Sequence, residues 1–380
     1  RIPYLFVGSL VAVLVMCLLP NAGSFGMAVS TAMIFGLVSL MFLDTSINMA
    51  MQPFKMMVGD MVNEKQKGLA YSIQSFLCNA GSLVGFLFPF IFTWIGISNI
   101  APQGVVPDSV IYSFYIGAAI LILCVIYTTV KVKEMPPAEY AEYHGITEEE
   151  EKEKINMVKL LIKAPKAFWT VGLVQFFCWF AFMFMWTYTN GSVAANVFDA
   201  PTVETAVNGV SKVMLDTKSI QYQDAADWVG VLFAVQAIGS VLWAVCIPLF
   251  KDRKLIYSLS LVLGGLGFIS TYFVHNQYVL FISFLLIGCA WAAMLALPFT
   301  ILTNALSGGH MGTYLGLFNG TICIPQIVAA SLGGSILALF TPKGMLPPEI
   351  NMLVMAGVML IIGAVCVYLI KETKGEQTKA

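Results

Sequence analysis

Long apolar runs broken by short polar segments dominate the chain, and each run is long enough to cross about 30 Å of hydrocarbon at about 1.5 Å of helical rise per residue. Ten such runs predict membrane-spanning helices near 2–19, 28–54, 69–94, 109–130, 166–189, 228–250, 255–274, 278–303, 311–340 and 350–370. The first imitates a signal peptide, but nine more follow and the chain opens on Arg1 rather than Met, so it reads as a span.

Composition agrees with lipid as the solvent. Hydrophobic residues make up 58% of the 380 positions and charged residues only 11%, where a soluble domain carries roughly 25% charge. Twenty Lys and Arg against twenty-one Asp and Glu leave a net charge of −1, which gives no basic field for nucleic acid. The eight cysteines stand singly in apolar stretches and the three histidines lie far apart. This pattern disfavours a disulfide framework and a metal site, and no cofactor is expected. His144, His275 and His310 all fall near loops with no nucleophile–base spacing, which argues against an enzyme.

Basic residues predict the orientation, because positively charged flanks stay on the cytoplasmic side. With Arg1 inside, the segments 55–67, 131–166, 251–254 and 371–379 are inside too, and together they hold seventeen of the twenty basic residues. Only Lys212, Lys218 and Lys343 fall outside. The expected organisation is an amino-terminal helical half over 1–130, a cytoplasmic linker over 131–165, a carboxy-terminal half over 166–370 and a cytoplasmic tail over 371–380. Within the linker, Thr147 and Glu150 have the spacing of a capping box that opens a short helix.

Four helices precede that linker and six follow, whereas transporters of two six-helix halves place it between the sixth and seventh. Two helices are therefore expected to be missing from the amino end. An internal echo fits two related halves: Pro53 precedes Gly68 by fifteen residues, and Pro298 precedes Gly312 by fourteen, each pair leading into a Gly-rich helix.

One carboxylate, Asp44, falls deep inside a span, eleven residues before Lys55 and so about 16 Å deeper. A charge there costs at least about 2.5 kcal/mol on insertion scales, which marks a functional group or a structural partner. Asn48, Gln52 and Lys55 share its helix face, and Pro53 is expected to kink the helix. On the span 166–189, Gln175, Trp179, Phe182 and Trp186 share another face. Aromatics interleaved with amides suit sugars, which offer C–H faces to stack and hydroxyls to bond, although such stripes also serve as packing. Asn319 and Gln326 lie seven residues apart around Pro325 and read as a second amide pair for hydroxyls. Gly308, Gly312, Gly316 and Gly320 repeat every fourth residue and predict close helix packing.

The segments "DTSINMAMQPFKMMVGD", "GSLVG" and "PFTILTNALSGGHMGTYLGLFNGTICIPQ" resemble the sucrose-transporter branch of the major facilitator superfamily, related to the glycoside–pentoside–hexuronide cation symporters. The opening "RIPYLFVG" is similar to the end of that family's Arg-rich turn before its third helix. The resemblance implies a monomeric carrier of the cytoplasmic membrane with ten of the fold's twelve helices in two pseudo-symmetric halves. It would move a di- or oligosaccharide glucoside with a proton by alternating access. Asp44, Asn48 and Pro53 match the acidic, amide and proline positions of the family's fourth helix, which implies proton coupling at Asp44. Lys55 stands where plant members carry a substrate-linked arginine, keeping the charge without the bidentate fork. Asn48, Lys55, Gln175, Trp179, Asn319 and Gln326 are the expected sugar contacts. In the seventh helix the family's acid and Arg-Glu pair are replaced by Tyr188, Ser192 and Val193, which favours, as the alternative, an uncoupled facilitator or exporter of sugars or other small polar solutes on the same fold.

Overall fold

The computed structural model describes residues 2–370 apart from 26–28, 62–63, 99–104, 135–138, 140–156, 208–209, 251, 306–310 and 343. The Thr147–Glu150 capping box, Gly308 and the tail over 371–380 lie outside the described residues, as do the side chains of Gln52 and Lys55. Two compact units divide the chain, Arg1–Lys154 and Ile155–Ala380.

In the first unit, α1 (Ile2–Leu18), α2 (Val29–Met61), α3 (Glu64–Trp94) and α4 (Asp108–Lys131) follow one another. Apolar sequence in hydrocarbon has to close its backbone hydrogen bonds within each segment, so helices are the available form. The α1 helix packs on α2 and α4, and α3 packs on α4. Gly8 makes the α1–α2 crossing close, since a Cβ there would stand 3.0 Å from the Ser46 carbonyl. Pro53 and Pro89 sit inside α2 and α3 without ending them. Hydroxyls in these apolar helices are satisfied by the carbonyl one turn back, as in Ser46 to Phe42 (2.6 Å) and Thr129 to Val125 (2.8 Å).

The second unit holds α5 (Met157–Ile162), α6 (Lys166–Asn196), β1 (Thr202–Val207), β2 (Val210–Leu215), α7 (Ile220–Cys246), α8 (Arg253–Ser270), α9 (Leu280–Ala305), α10 (Met311–Phe318), α11 (Gly320–Phe340) and α12 (Ile350–Cys366). Of these, α6 is the central post: at 31 residues it is about 46 Å long, and it packs against α7, α9, α11 and α12. Its side chains Val171, Val174, Cys178, Phe182 and Phe184 are buried in one continuous core. Among the described residues, ten helices have the length and hydropathy to cross a membrane.

Several boundaries differ from the hydropathy pattern for identifiable reasons. The span expected at 228 starts instead at Ile220, because Ser219 accepts the Tyr222 N–H (3.2 Å) and caps a polar first turn. Similarly, Asp252 accepts from the N–H groups of Lys254 (2.9 Å) and Leu255 (3.1 Å) and starts α8. Between α6 and α7, β1 and β2 pair antiparallel with Thr202 opposite Leu215 and Val207 opposite Val210. Their alternating β-branched residues sit between longer apolar runs that mask so short a signal. At the end of α6, Asp199 takes a left-handed conformation (φ 49), and the Ala200 N–H returns to the Ala194 carbonyl at 2.9 Å.

Of the expected glycine repeat, Gly316 and Gly320 make no close contact with another helix. Gly316 has open space beside it and Gly320 touches only Ile324 of its own helix. The tight crossings are made by Gly239 against Leu285, Gly288 against Gln236, Gly267 against Ser283, and Gly265 against Gly357. In these crossings backbone meets backbone directly, which small residues alone permit. A four-residue repeat does not reveal them, because each glycine is matched to one partner helix.

Candidate functional site

The expected contacts divide between the units: Asp44, Asn48 and Lys55 belong to the first, and Gln175, Trp179, Asn319 and Gln326 to the second. On α2, Asp44 is exposed and Asn48, one turn on, is half-buried. The Asn48 Nδ2 donates to the Asp44 carbonyl (2.9 Å) and to Asp44 Oδ1 (3.3 Å), which fixes the pair as one polar patch on an apolar helix.

The second unit builds a more enclosed arrangement. Gln175 is 0% exposed, and its Nε2 donates to the Met294 carbonyl of α9 at 3.1 Å. Its Oε1 is buried with no partner. One turn along α6, Trp179 is 8% exposed, and its indole Nε1–H is likewise buried and unpartnered. An acceptor and a donor therefore stand unmet one turn apart, and such groups are costly unless something fills them.

Around this pair the aromatics close a cluster. Trp291 of α9 lies edge-on to Trp179 at 5.8 Å and to Trp186 at 5.8 Å, while Phe182 packs on Trp291 at 4.9 Å. Trp186 is 41% exposed, so the cluster runs from the buried amide to an accessible ring. Sequence reasoning found three of these rings by their helical spacing and missed Trp291. Its signal is an indole alone among small residues in "GCAWAAM", which carries no periodicity of its own.

Asn319 and Gln326 are both half-buried. Between α10, which ends at Phe318, and α11, which begins at Gly320, Asn319 keeps helical dihedrals (φ −59, ψ −25), and the Cys323 N–H bonds its carbonyl at 3.2 Å. This stretch abuts α6, since Thr321 lies 3.0 Å from where a Cβ of Gly172 would be.

A further polar group gathers at the last turns of α6. Asn190 Nδ2 donates to the Tyr222 hydroxyl at 3.0 Å, and Asn190 Oδ1 is buried without a partner. Glu349, just before α12, sets its carboxylate against Gly191. It precedes the span Ile350–Leu369, and burial pushes its carboxyl pKa up to about 7. Among carboxylates the sequence drew attention only to Asp44, because Glu349 looks like an ordinary helix-end residue until Gly191 is seen to leave room for it.

Comparison with known proteins places this architecture. Residues 193–380 match the family model of the Major Facilitator Superfamily. No curated protein matches the chain by sequence. Among solved structures, the D-xylose-proton symporter has a TM-score of 0.68 at 13% identity, covering 99% of this chain and 82% of that one. The inward-open xylose transporter XylE from E. coli gives 0.64 at 13%, covering 99% and 80%. The nucleoside transporter NupG gives 0.59 at 12%, covering 97% and 87%. With ten membrane-length helices among the described residues, the chain has the fold of these transporter structures.

Proposed function

We propose that the chain is a secondary transporter of the sucrose-transporter-like branch, moving a di- or oligosaccharide glucoside across the cytoplasmic membrane together with a proton. The observation that carries the substrate class is the unmet pair on α6: Gln175 Oε1 and the Trp179 indole N–H, buried beneath Phe182, Trp186 and Trp291. A sugar satisfies both halves of this arrangement, offering hydroxyls to the polar atoms and ring C–H faces to the indoles. The solved structures with this fold include two xylose carriers, one of them described as a proton symporter, which supports the same reading.

For the proton, Asp44 with its Asn48 donor is the preferred group in the first unit, because a carboxylate in a membrane helix persists for a function or a partner. Asn48, Lys55, Asn319 and Gln326 complete the proposed sugar contacts. The seventeen basic residues of the cytoplasmic segments put the linker and carboxyl end inside, and a monomer is the working unit.

Uptake of labelled sucrose and maltose into proteoliposomes, with and without an imposed inward proton gradient, tests this. Accumulation above equilibrium that a protonophore abolishes is the expected result. Equilibration at one rate in both conditions would establish an uncoupled facilitator instead, a reading favoured by Tyr188 standing in α6 where the resembling family carries an acid.

A further inference from the structure

Glu349 is held where a carboxylate has little reason to be unless it is used. The loop before α12 passes through Pro347 and Pro348, and the Glu349 N–H bonds the Pro347 carbonyl (2.9 Å) while the Met352 N–H bonds the Glu349 carbonyl (2.9 Å). The backbone is thus already helical at Glu349 (φ −59, ψ −25), and the side chain is aimed at α6. Its carboxylate fills the hollow left by Gly191; a side chain at 191 would occupy the same space.

Among the described residues, the groups facing it carry no formal positive charge. From α6 the phenol of Tyr188 lies within electrostatic reach, and from α7 that of Tyr222. Lys343, in the preceding loop, lies outside the described residues. Desolvation is accordingly the cause of the raised carboxyl, with no compensating cation among the described residues.

One feature fits a proton rather than a fixed anion: Asn190 Oδ1, on the residue before Gly191, is a buried acceptor without a partner, whereas a protonated carboxyl is a donor. In the orientation expected from the basic residues, this end of the unit faces outward.

Resting on the transport reading above, we propose that Glu349 is a second proton-binding site of the transport cycle, loaded from the outer face at the junction of α6, α7 and α12. The proton comes from external water, the carboxylate becomes a carboxylic acid, and the neutral side chain rests on Gly191. Release reverses the same O–H bond and restores the anion, so no other reactant is needed.

Difference infrared spectroscopy of the purified full chain, titrated from acid to alkaline pH, tests this directly. The expected result is a protonated-carboxyl band lost with a midpoint near pH 7, absent in Glu349→Gln and shifted toward the ordinary value of about 4.3 in Gly191→Ala, which crowds the side chain out of its seat. In proteoliposomes, the pH dependence of sucrose uptake should flatten in Glu349→Gln. A band titrating in the ordinary carboxylate range in wild type, or an unchanged pH profile of uptake in Glu349→Gln, overturns the proposal. If wild type takes up no sugar while the band titrates near neutrality and depends on Glu349, the sugar reading fails and the proton-binding site stands.

Discussion

Replacing Gln175 with Met separates a binding role from a packing role. The substitution keeps side-chain length and volume, removes the 3.1 Å bond from Nε2 to the Met294 carbonyl, and removes the unpartnered Oε1. An interhelical hydrogen bond in a membrane bundle contributes about 0.6 kcal/mol on average. Leaving a buried acceptor unmet costs about 1–3 kcal/mol. Because Pro298 has no N–H to offer the Met294 carbonyl, the change exchanges one buried unmet acceptor for another and also loses the interhelical bond, so stability should stay level or fall by about 1 kcal/mol, roughly 2–4 °C for a unit of this size. If a sugar hydroxyl meets Oε1, the same change removes a hydrogen bond of about 0.5–1.5 kcal/mol and weakens apparent affinity roughly twofold to tenfold. Thermal unfolding of the purified protein and a concentration series of sucrose uptake measure the two effects separately. A larger drop in melting temperature with unchanged affinity would refute the reasoning and return Gln175 to helix packing.

Trp291→Ala should weaken sugar affinity more than Trp186→Ala, since Trp291 packs closer to Trp179 and Phe182 (5.8 and 4.9 Å) than Trp186 does (6.4 Å to each) and is less exposed; equal effects in uptake assays would count against the cluster. Asp44→Asn keeps the hydrogen bond with Asn48 but cannot ionise, so accumulation against a gradient should fail while exchange survives, and an unchanged concentrative ratio would argue otherwise. Gly357→Ala would place a Cβ 2.6 Å from the Gly265 carbonyl, so α8 and α12 must part at a cost of about 1–3 kcal/mol, visible as a lower melting temperature. Burial raises the Glu349 carboxyl from 4.5 to about 7, and a raised folded-state value means stability fully present below about pH 4.5 and lost as pH rises through about 7. The total is on the order of 3 kcal/mol. Melting curves of wild type should fall across that window and those of Glu349→Gln should not.

The ten spans were legible because hydrocarbon imposes one length and one backbone solution, so Leu280–Ala305 and Ile350–Cys366 show as uninterrupted apolar runs. Asp44 with Asn48 was legible for a related reason, since four-residue spacing in a helix sets donor against acceptor. What escaped the sequence depends on distant partners. Trp291 matters through Trp179 and Phe182 on another helix, and Glu349 through the absence of a side chain at Gly191. Pro325, the visible breaker between Asn319 and Gln326, is accommodated within α11. The paired strands β1 and β2 have alternation too brief to compete with the spans around them.

Three clustered indoles among the six of the second unit also have an optical consequence. Trp179, Trp186 and Trp291 have ring centres 5.8–6.4 Å apart, close enough for their excited states to couple, whereas an isolated tryptophan absorbs and emits alone. Near-ultraviolet circular dichroism of this chain should therefore carry an exciton couplet, and its emission should be depolarised by energy hopping among the three. Any molecule that wedges between the rings, or any tilt of α6 against α9, changes both signals at once. The protein thus contains its own spectroscopic reporter of occupancy, readable without a label.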